Sequence, residues 1–554
     1  PTSPMLLWSM LSLGALLGGI GLLFGVFGRW GHELGWRGRE HARISFRDEV
    51  ELTPAQHATT WFFVAMAGLF VLQTLVGAAS QHYRAELTGF FGLDLARLLP
   101  FNLARTWHLQ LAILWVGTSY LAAGIFIAPM IARGEPRGQR PLVLALLGAL
   151  VVVVVGSLAG ELAGIHGWTE STWLGNQGFE YLELGRLWQV LLVVGLGFWV
   201  VLLFRTLRGR LRREHMGNLP WLFFFSALAI PAFYAVGLLV QEDASFTTND
   251  FWRFWVVHLW VEDFLEIFTT VVVAYTFVLL GVVSERVAML VVYLHVILYS
   301  VGGVIGTMHH LYFSGAPVEH MALGAFFSAA EVLPLTFLTV EAWSFLRIGS
   351  RQERDSNEPF PHRWAVMCLV AVGFWNFVGA GIFGFLINLP IVSYYEIGTA
   401  LTANHGHAAM MGVYGMLAVG LALFALRYLT QRDRWSDRLA GVTFWSLNIG
   451  LAWRGFATLF PLGLWQLHES VEYGYFEARE LAAGGSDTRM LIEWLRLPGD
   501  AVFIVGGAVP LLVLALRAAR YPARRAETDR PAVLFTDVTD VTDGESRGAG
   551  EQVS

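Results

Sequence analysis

The chain has 554 residues, of which 55% are hydrophobic and 14% charged, with a formal net charge of −6 and a mean hydropathy of +0.54. A soluble protein of this size is not so apolar, and no Walker loop, dinucleotide fingerprint or nucleic-acid-binding pattern interrupts it. The single cysteine, Cys368, sits inside an apolar run, which excludes a disulfide framework, a CxxCH haem attachment and a thiolate metal cluster within this chain.

Apolar runs of about 20 residues fall near 5–27, 60–80, 107–132, 141–163, 187–206, 220–240, 254–283, 286–311, 321–345, 365–388, 402–427, 440–463 and 500–517. Lipid leaves the backbone only helices or closed barrels, so the expected fold is an all-α polytopic membrane protein of about thirteen transmembrane helices. Three parts are expected: an extra helix and cytoplasmic loop over 1–58, a twelve-helix core over 59–520, and a polar, disordered cytoplasmic tail over 521–554. All 37 basic residues are arginine. They crowd 28–58, 133–140, 205–218, 346–363, 427–438 and 517–530 and are sparse in the alternate loops. The positive-inside rule then places Pro1 outside and the C-terminus in the cytoplasm. A chain starting outside is expected to follow an earlier export signal or span.

Six histidines are expected near the outer ends of spans. They are His108 in RTWHLQ, His258 in VVHLWVEDFLE, His309 and His310 in GTMHH, and His405 and His407 in NHGHAA. Buried imidazoles need partners, and six at one depth suggest a layer of metal chemistry. His258, Glu262 and Glu266 are spaced i, i+4, i+8 and would share one helical face, with Asp263 beside them. His258, His309 and His310 would supply nitrogen ligands and Glu262 an oxygen ligand. Three imidazoles alone suit copper or zinc, and a hard carboxylate shifts the balance toward iron. His405 and His407 stand about 200° apart on an α-helix. His405 would ligate an open-faced haem on the metal side. His407 and His108 would hold a second, six-coordinate haem suited to electron transfer.

HLWVE, GTMHH and NHGHAA together resemble the haem–copper oxidase superfamily, and specifically its nitric oxide reductase branch. In the oxygen-reducing members a tyrosine follows the first metal histidine by four residues and the metal is copper. Here that position is Glu262, as expected for a reductase with iron. GAASQHYRAELTGFFG and WLRLPGDAVFIVGG resemble the quinol pocket of the quinol-dependent type, which implies that His82, Glu86, Phe90 and Asp500 bind quinol.

The resemblance implies haem b, haem b3 and non-haem iron as cofactors, with Glu262, Glu266 and Glu331 as catalytic carboxylates, Glu331 relaying protons. It further implies a glutamate pair, Glu180 and Glu183, near haem propionates that a calcium ion can bridge. An N-terminal span and a soluble domain resembling cytochrome c without haem would precede this sequence. The implied reaction is quinol + 2 NO → quinone + N2O + H2O, in a bacterial or archaeal inner membrane. Its partners would be lipid, quinol, nitric oxide and, in a homodimer, a second copy. A nitric oxide dismutase, a relative of the quinol reductases, departs from the pattern at the metal and quinol residues, which match here. A quinol-dependent oxygen reductase is disfavoured by Glu262. A transporter without redox cofactors leaves the six layered histidines unexplained.

Overall fold

The computed structural model describes residues 3–30, 51–86, 89–213, 218–279, 285–328, 347, 362–479 and 487–523. Glu331 lies outside them. The described residues form helices joined by turns, with isolated bridges and no strand. In chain order the helices are α1 (Ser3–Trp30), α2 (Pro54–Glu86), α3 (Phe101–Ala132), α4 (Gln139–Ile165), α5 (Arg186–Leu207), α6 (Leu219–Tyr234), α7 (Phe246–Phe254), α8 (Leu265–Leu279) and α9 (Glu285–Gly306). Further along come α10 (Arg363–Trp375), α11 (Gly384–Asn388), α12 (Pro390–Glu396), α13 (Ala400–Ala409), α14 (Met416–Leu429), α15 (Asp437–Ala452) and α16 (Phe460–Glu472). The last three are α17 (Asp487–Trp494), α18 (Arg496–Ala501) and α19 (Val509–Arg520).

Among the described residues nine helices are long and apolar enough to cross a membrane, against the thirteen expected. The runs near 254–283, 286–311, 321–345 and 440–463 are not among the nine. The third of these runs extends past residue 328, beyond the described residues. One apolar core joins α2, α3, α5, α8, α10, α14, α15 and α19. In lipid such helices associate through close packing rather than hydrophobic transfer. Gly412 shows this: a Cβ there would collide with the Trp375 side chain, so this approach requires glycine.

Five stretches inside the longer rods are π-helical: Trp255–Phe264, Asn376–Phe383, Met410–Gly415, Trp453–Leu459 and Val502–Ala508. These turns are rare and gather at functional sites. The first one carries His258 and Glu262, within Trp255–Phe264, where an i→i+5 pattern replaces the α-helical one.

At one end of α13 a short turn fixes the helix start. Thr399 caps it, its side chain accepting from the Leu401 N–H. Glu396 is buried and accepts from the Thr402 hydroxyl at 3.0 Å. Arg479 clamps this corner, donating to Tyr395 O at 2.9 Å, Ile397 O at 3.0 Å and Ser470 Oγ at 2.9 Å, with its guanidinium 3.5 Å over the Tyr475 ring. Burial pushes the Glu396 carboxyl up to about 7, against the opposing pull of the Thr402 and Thr399 hydrogen bonds and the Arg479 charge. A carboxyl raised in this way favours the folded state while it is protonated. That contribution is complete below the ordinary carboxylate range and is lost as pH rises through 7, by on the order of 3 kcal/mol. Glu396→Gln should match the wild type near pH 5 and exceed its thermal midpoint at pH 8.5. Thermal unfolding in detergent across that range checks this, and parallel curves for the two proteins would refute it.

Candidate metal, haem and quinol sites

The π-helical segment after α7 and the 3-10 segment Thr307–Ser314 bring three imidazoles to one point. His310 Nε2 lies 2.9 Å from His309 Nε2 and 3.1 Å from His258 Nδ1. Their ligand atoms all fall within 4.8 Å of one another, with His258 and His309 buried. Three imidazole nitrogens facing one another have no shared proton arrangement that satisfies all of them, but each can offer a lone pair to one cation. The donor set therefore fits a metal ion. The Glu262 side chain lies outside the described residues, as does all of Glu331. Glu266 is buried and accepts from Asn376 Nδ2 at 3.0 Å.

α13 carries the opposed pair. Its α-helical register is intact over Ala400–Ala409, and the π turn begins only at Met410. His405 and His407 therefore keep their opposite directions. His405 Nδ1 sits 2.9 Å from Gly379 O and His407 Nδ1 sits 2.7 Å from Ala403 O. A carbonyl accepts, so each Nδ1 carries the proton and each Nε2 keeps its lone pair for a ligand. His108 meets Gln73 instead, its Nδ1 3.2 Å from Gln73 O and 3.0 Å from Gln73 Nε2. His405 lies within electrostatic reach of His310, which puts it on the tri-imidazole side. On the other side the His407 and His108 rings stack with centroids 6.0 Å apart and planes inclined by 28°. That gap is too wide for ring contact and fits one metal centre between two imidazoles. α2 leaves room for the His108 ring because residue 77 has no side chain: a Cβ there would overlap the ring.

The residues expected to bind quinol also meet, through a residue that the sequence motifs did not single out. Arg496 is 2% exposed and His82 fully buried. Arg496 donates through Nη2 to His82 Nδ1 at 2.5 Å and through Nη1 to Asp500 Oδ2 at 2.5 Å. His82 Nε2 lies 3.1 Å from Glu86 Oε2. The His82 ring packs 4.7 Å from Phe90, 4.4 Å from Phe91 and 5.3 Å from Trp494, centroid to centroid. Glu493 ties this corner to α2, accepting from Arg84 Nε at 2.8 Å and Gln81 Nε2 at 2.7 Å. Half-buried Arg454 interacts electrostatically with Asp500, Glu493 and Arg496 on one side and with His108 and His407 on the other. The i, i+4 spacing of Arg496 and Asp500 in LRLPGD was a signal for this pair.

Glu180 and Glu183 part company. Glu180 takes Arg105 on one oxygen and Arg253, at 3.5 Å, on the other. A carboxylate holding two guanidinium groups does not fit a calcium ligand. Glu183 is buried and accepts from Gln110, and burial pushes its carboxyl up to about 7. Near it on α4 stands Glu161, fully buried and without a hydrogen-bond partner on either oxygen. The apolar run over 141–163 contains this acid. An acid inside an apolar run is costly, a signal the sequence offered that was not taken up.

The helical rods and the histidines they gather define a multi-pass membrane protein of oxidoreductase class. The chain belongs to the cytochrome c and quinol oxidase polypeptide I family, the haem–copper oxidases, whose family model matches residues 57–501. It is 27% identical over 499 residues to a nitric oxide reductase subunit of Stutzerimonas stutzeri, covering 86% of this chain and all of that protein. This relative supports the nitric oxide reductase branch. The fold of the chain is similar to that of a haem–copper terminal oxidase dimer solved by cryo-EM, with a TM-score of 0.64 at 14% identity over 87% of each chain.

Gly77→Ala should displace His108 and abolish most of the low-spin haem signal in a reduced-minus-oxidised spectrum. Gly68→Ala on the same helix, where a Cβ meets nothing within 4 Å, is the control and should leave that signal intact. Equal spectra from the two variants would remove His108 as a ligand.

Proposed function

We propose that the protein is a quinol-oxidising nitric oxide reductase, converting quinol and 2 NO to quinone, N2O and H2O. The observation that carries the quinol assignment is the cluster in which Arg496 joins His82 to Asp500, with Glu86 and Phe90 against the same His82 ring. It supports a pocket for an organic two-electron donor. Glu262, in the position where oxygen-reducing relatives carry tyrosine, supports NO rather than O2 as the electron acceptor.

In this reading His258, His309 and His310, with Glu262, hold a non-haem iron, His405 holds haem b3, and His108 and His407 hold haem b. When bound, these groups supply electron delivery and polarisation of two NO molecules held side by side. The chain's own part is to hold the metal ligands rigid. Gly379 O and Ala403 O fix the His405 and His407 rings, so neither has to reorient during turnover. Glu266 and Glu331 carry protons toward the site. The outer-side placement of the quinol pocket, an outside N-terminus, a cytoplasmic C-terminus, a bacterial or archaeal inner membrane and a homodimer complete the proposal. The dimer draws support from the fold's similarity to a dimeric oxidase.

His258→Ala, His309→Ala or His310→Ala should lose non-haem iron and at least about a hundredfold of NO turnover while keeping the low-spin haem spectrum. Metal analysis and a Clark-type NO electrode test this, and wild-type NO reduction in any of the three would remove that ligand. His82→Ala and Asp500→Ala should abolish quinol-driven turnover while NO reduction persists with an artificial donor. Retained quinol-driven activity in both would move the quinol elsewhere. The gaseous product decides the competing reactions: N2O for the reductase, N2 with O2 for a dismutase, and O2 uptake for an oxidase.

A further inference from the structure

The quinol pocket contains a buried cation whose geometry decides which of its neighbours can act as a base. Arg496 has no acceptor. Its Nη2–H points at His82 Nδ1 from 2.5 Å, so Nδ1 must carry a lone pair rather than a proton. The one remaining ring proton of a neutral imidazole then sits on Nε2. Nε2 faces Glu86 Oε2 at 3.1 Å, and a carboxylate accepts from it. Phe91 N also lies 3.4 Å from Nε2, a contact that would need a lone pair there. The same N–H has a shorter partner in Glu86 Oε2 at 2.8 Å, which takes it. Asp500 spends its charge on Arg496 Nη1. Of the three polar groups expected around the headgroup, two are therefore committed. Among the described residues Glu86 alone combines a carboxylate without an arginine partner and a side chain 28% exposed, from which a proton can leave to water.

We infer that Arg496 locks His82 as its Nε2–H tautomer, which makes His82 a hydrogen-bond donor to Glu86 Oε2 and so orients Glu86 as the base that deprotonates the quinol. The inference rests on the quinol reading of this pocket. In each half of the reaction one quinol O–H bond breaks. The proton passes to the Glu86 carboxylate and on to water at the pocket mouth. One electron passes to the oxidant, a haem iron on the His108–His407 side. Two such events give quinone, two released protons and two electrons. Arg496 touches no reacting atom. It is a positioning residue that acts through His82 and Asp500, and its planar fork reaches both at once, which a lysine cannot do.

Two measurements test this on the full-length protein in detergent or lipid. In the first, 15N-histidine labelling with solid-state NMR reads the tautomer, the His82 signal being assigned by its loss in His82→Gln. The wild type should show protonated Nε2 and unprotonated Nδ1. Arg496→Gln should show a mixture and Arg496→Lys an intermediate pattern. A protonated Nδ1 in the wild type, or no change in either variant, overturns the inference whatever the activity.

The second measurement is quinol-driven kinetics. The amide of glutamine reaches the Nε2 position, so His82→Gln should keep kcat within about tenfold while KM rises. His82→Asn, whose amide sits near Nδ1, should lose about a hundredfold or more. Glu86→Gln should lose about 10²–10⁴ in kcat, the range expected for a general base, with KM changed only a few-fold. Full kcat in Glu86→Gln, or a loss in His82→Gln equal to that in His82→Ala, overturns it. A wild type that oxidises no quinol but accepts electrons from a cytochrome c overturns the quinol reading itself, and this inference with it.

Discussion

An imidazole in a membrane can present only one nitrogen to a metal, and which one is decided by what holds the other. Every ligand assignment in this chain depends on that constraint. His405 and His407 each have Nδ1 against a backbone carbonyl, so each presents Nε2. One of these, Gly379 O, belongs to a π-helical stretch, where a carbonyl is released from the regular α-helical ladder. His258 reverses the pattern, turning Nδ1 toward its neighbours. It is also the one of the three that sits within a π turn. Ring orientation and helix distortion are thus two faces of the same local decision.

The fold class was legible from runs of apolar residues and from the spacing of arginine, because lipid imposes a length and a composition on each span. The opposed directions of His405 and His407 were legible because NHGHAA lies in regular α-helix, where a two-residue step has a fixed angular meaning. HLWVE lies in a π-helical stretch, and a π turn has no sequence signature as sharp as its geometric effect. Nine of the thirteen expected spans are found as long apolar helices among the described residues, and the run near 321–345 extends beyond those residues. The Arg496 bridge was hidden by distance: His82 and Arg496 are 414 residues apart, and only packing of the first core helix against the last brings them together.

The carboxylates divide along the same physical line. Glu180 is exposed enough to collect two guanidinium groups, and so it is an ordinary ion-pair partner. Glu183 and Glu396 are buried with neutral donors, and burial raises both carboxyls toward neutrality. The reason is that a buried carboxylate with little compensation is costly when ionised.

The pocket around His82 shows the opposite solution. There the charges are paired: Arg84 with Glu493, and Arg496 with Asp500. Pairing holds the cluster in one arrangement, while the Glu86 side chain stays partly exposed beside it. In the proposed reading a proton leaving the quinol moves toward Glu86, and the electron moves toward the His108–His407 pair, on the side of Arg454. Fixed cations favour such a split, since a guanidinium repels a proton and stabilises an incoming electron.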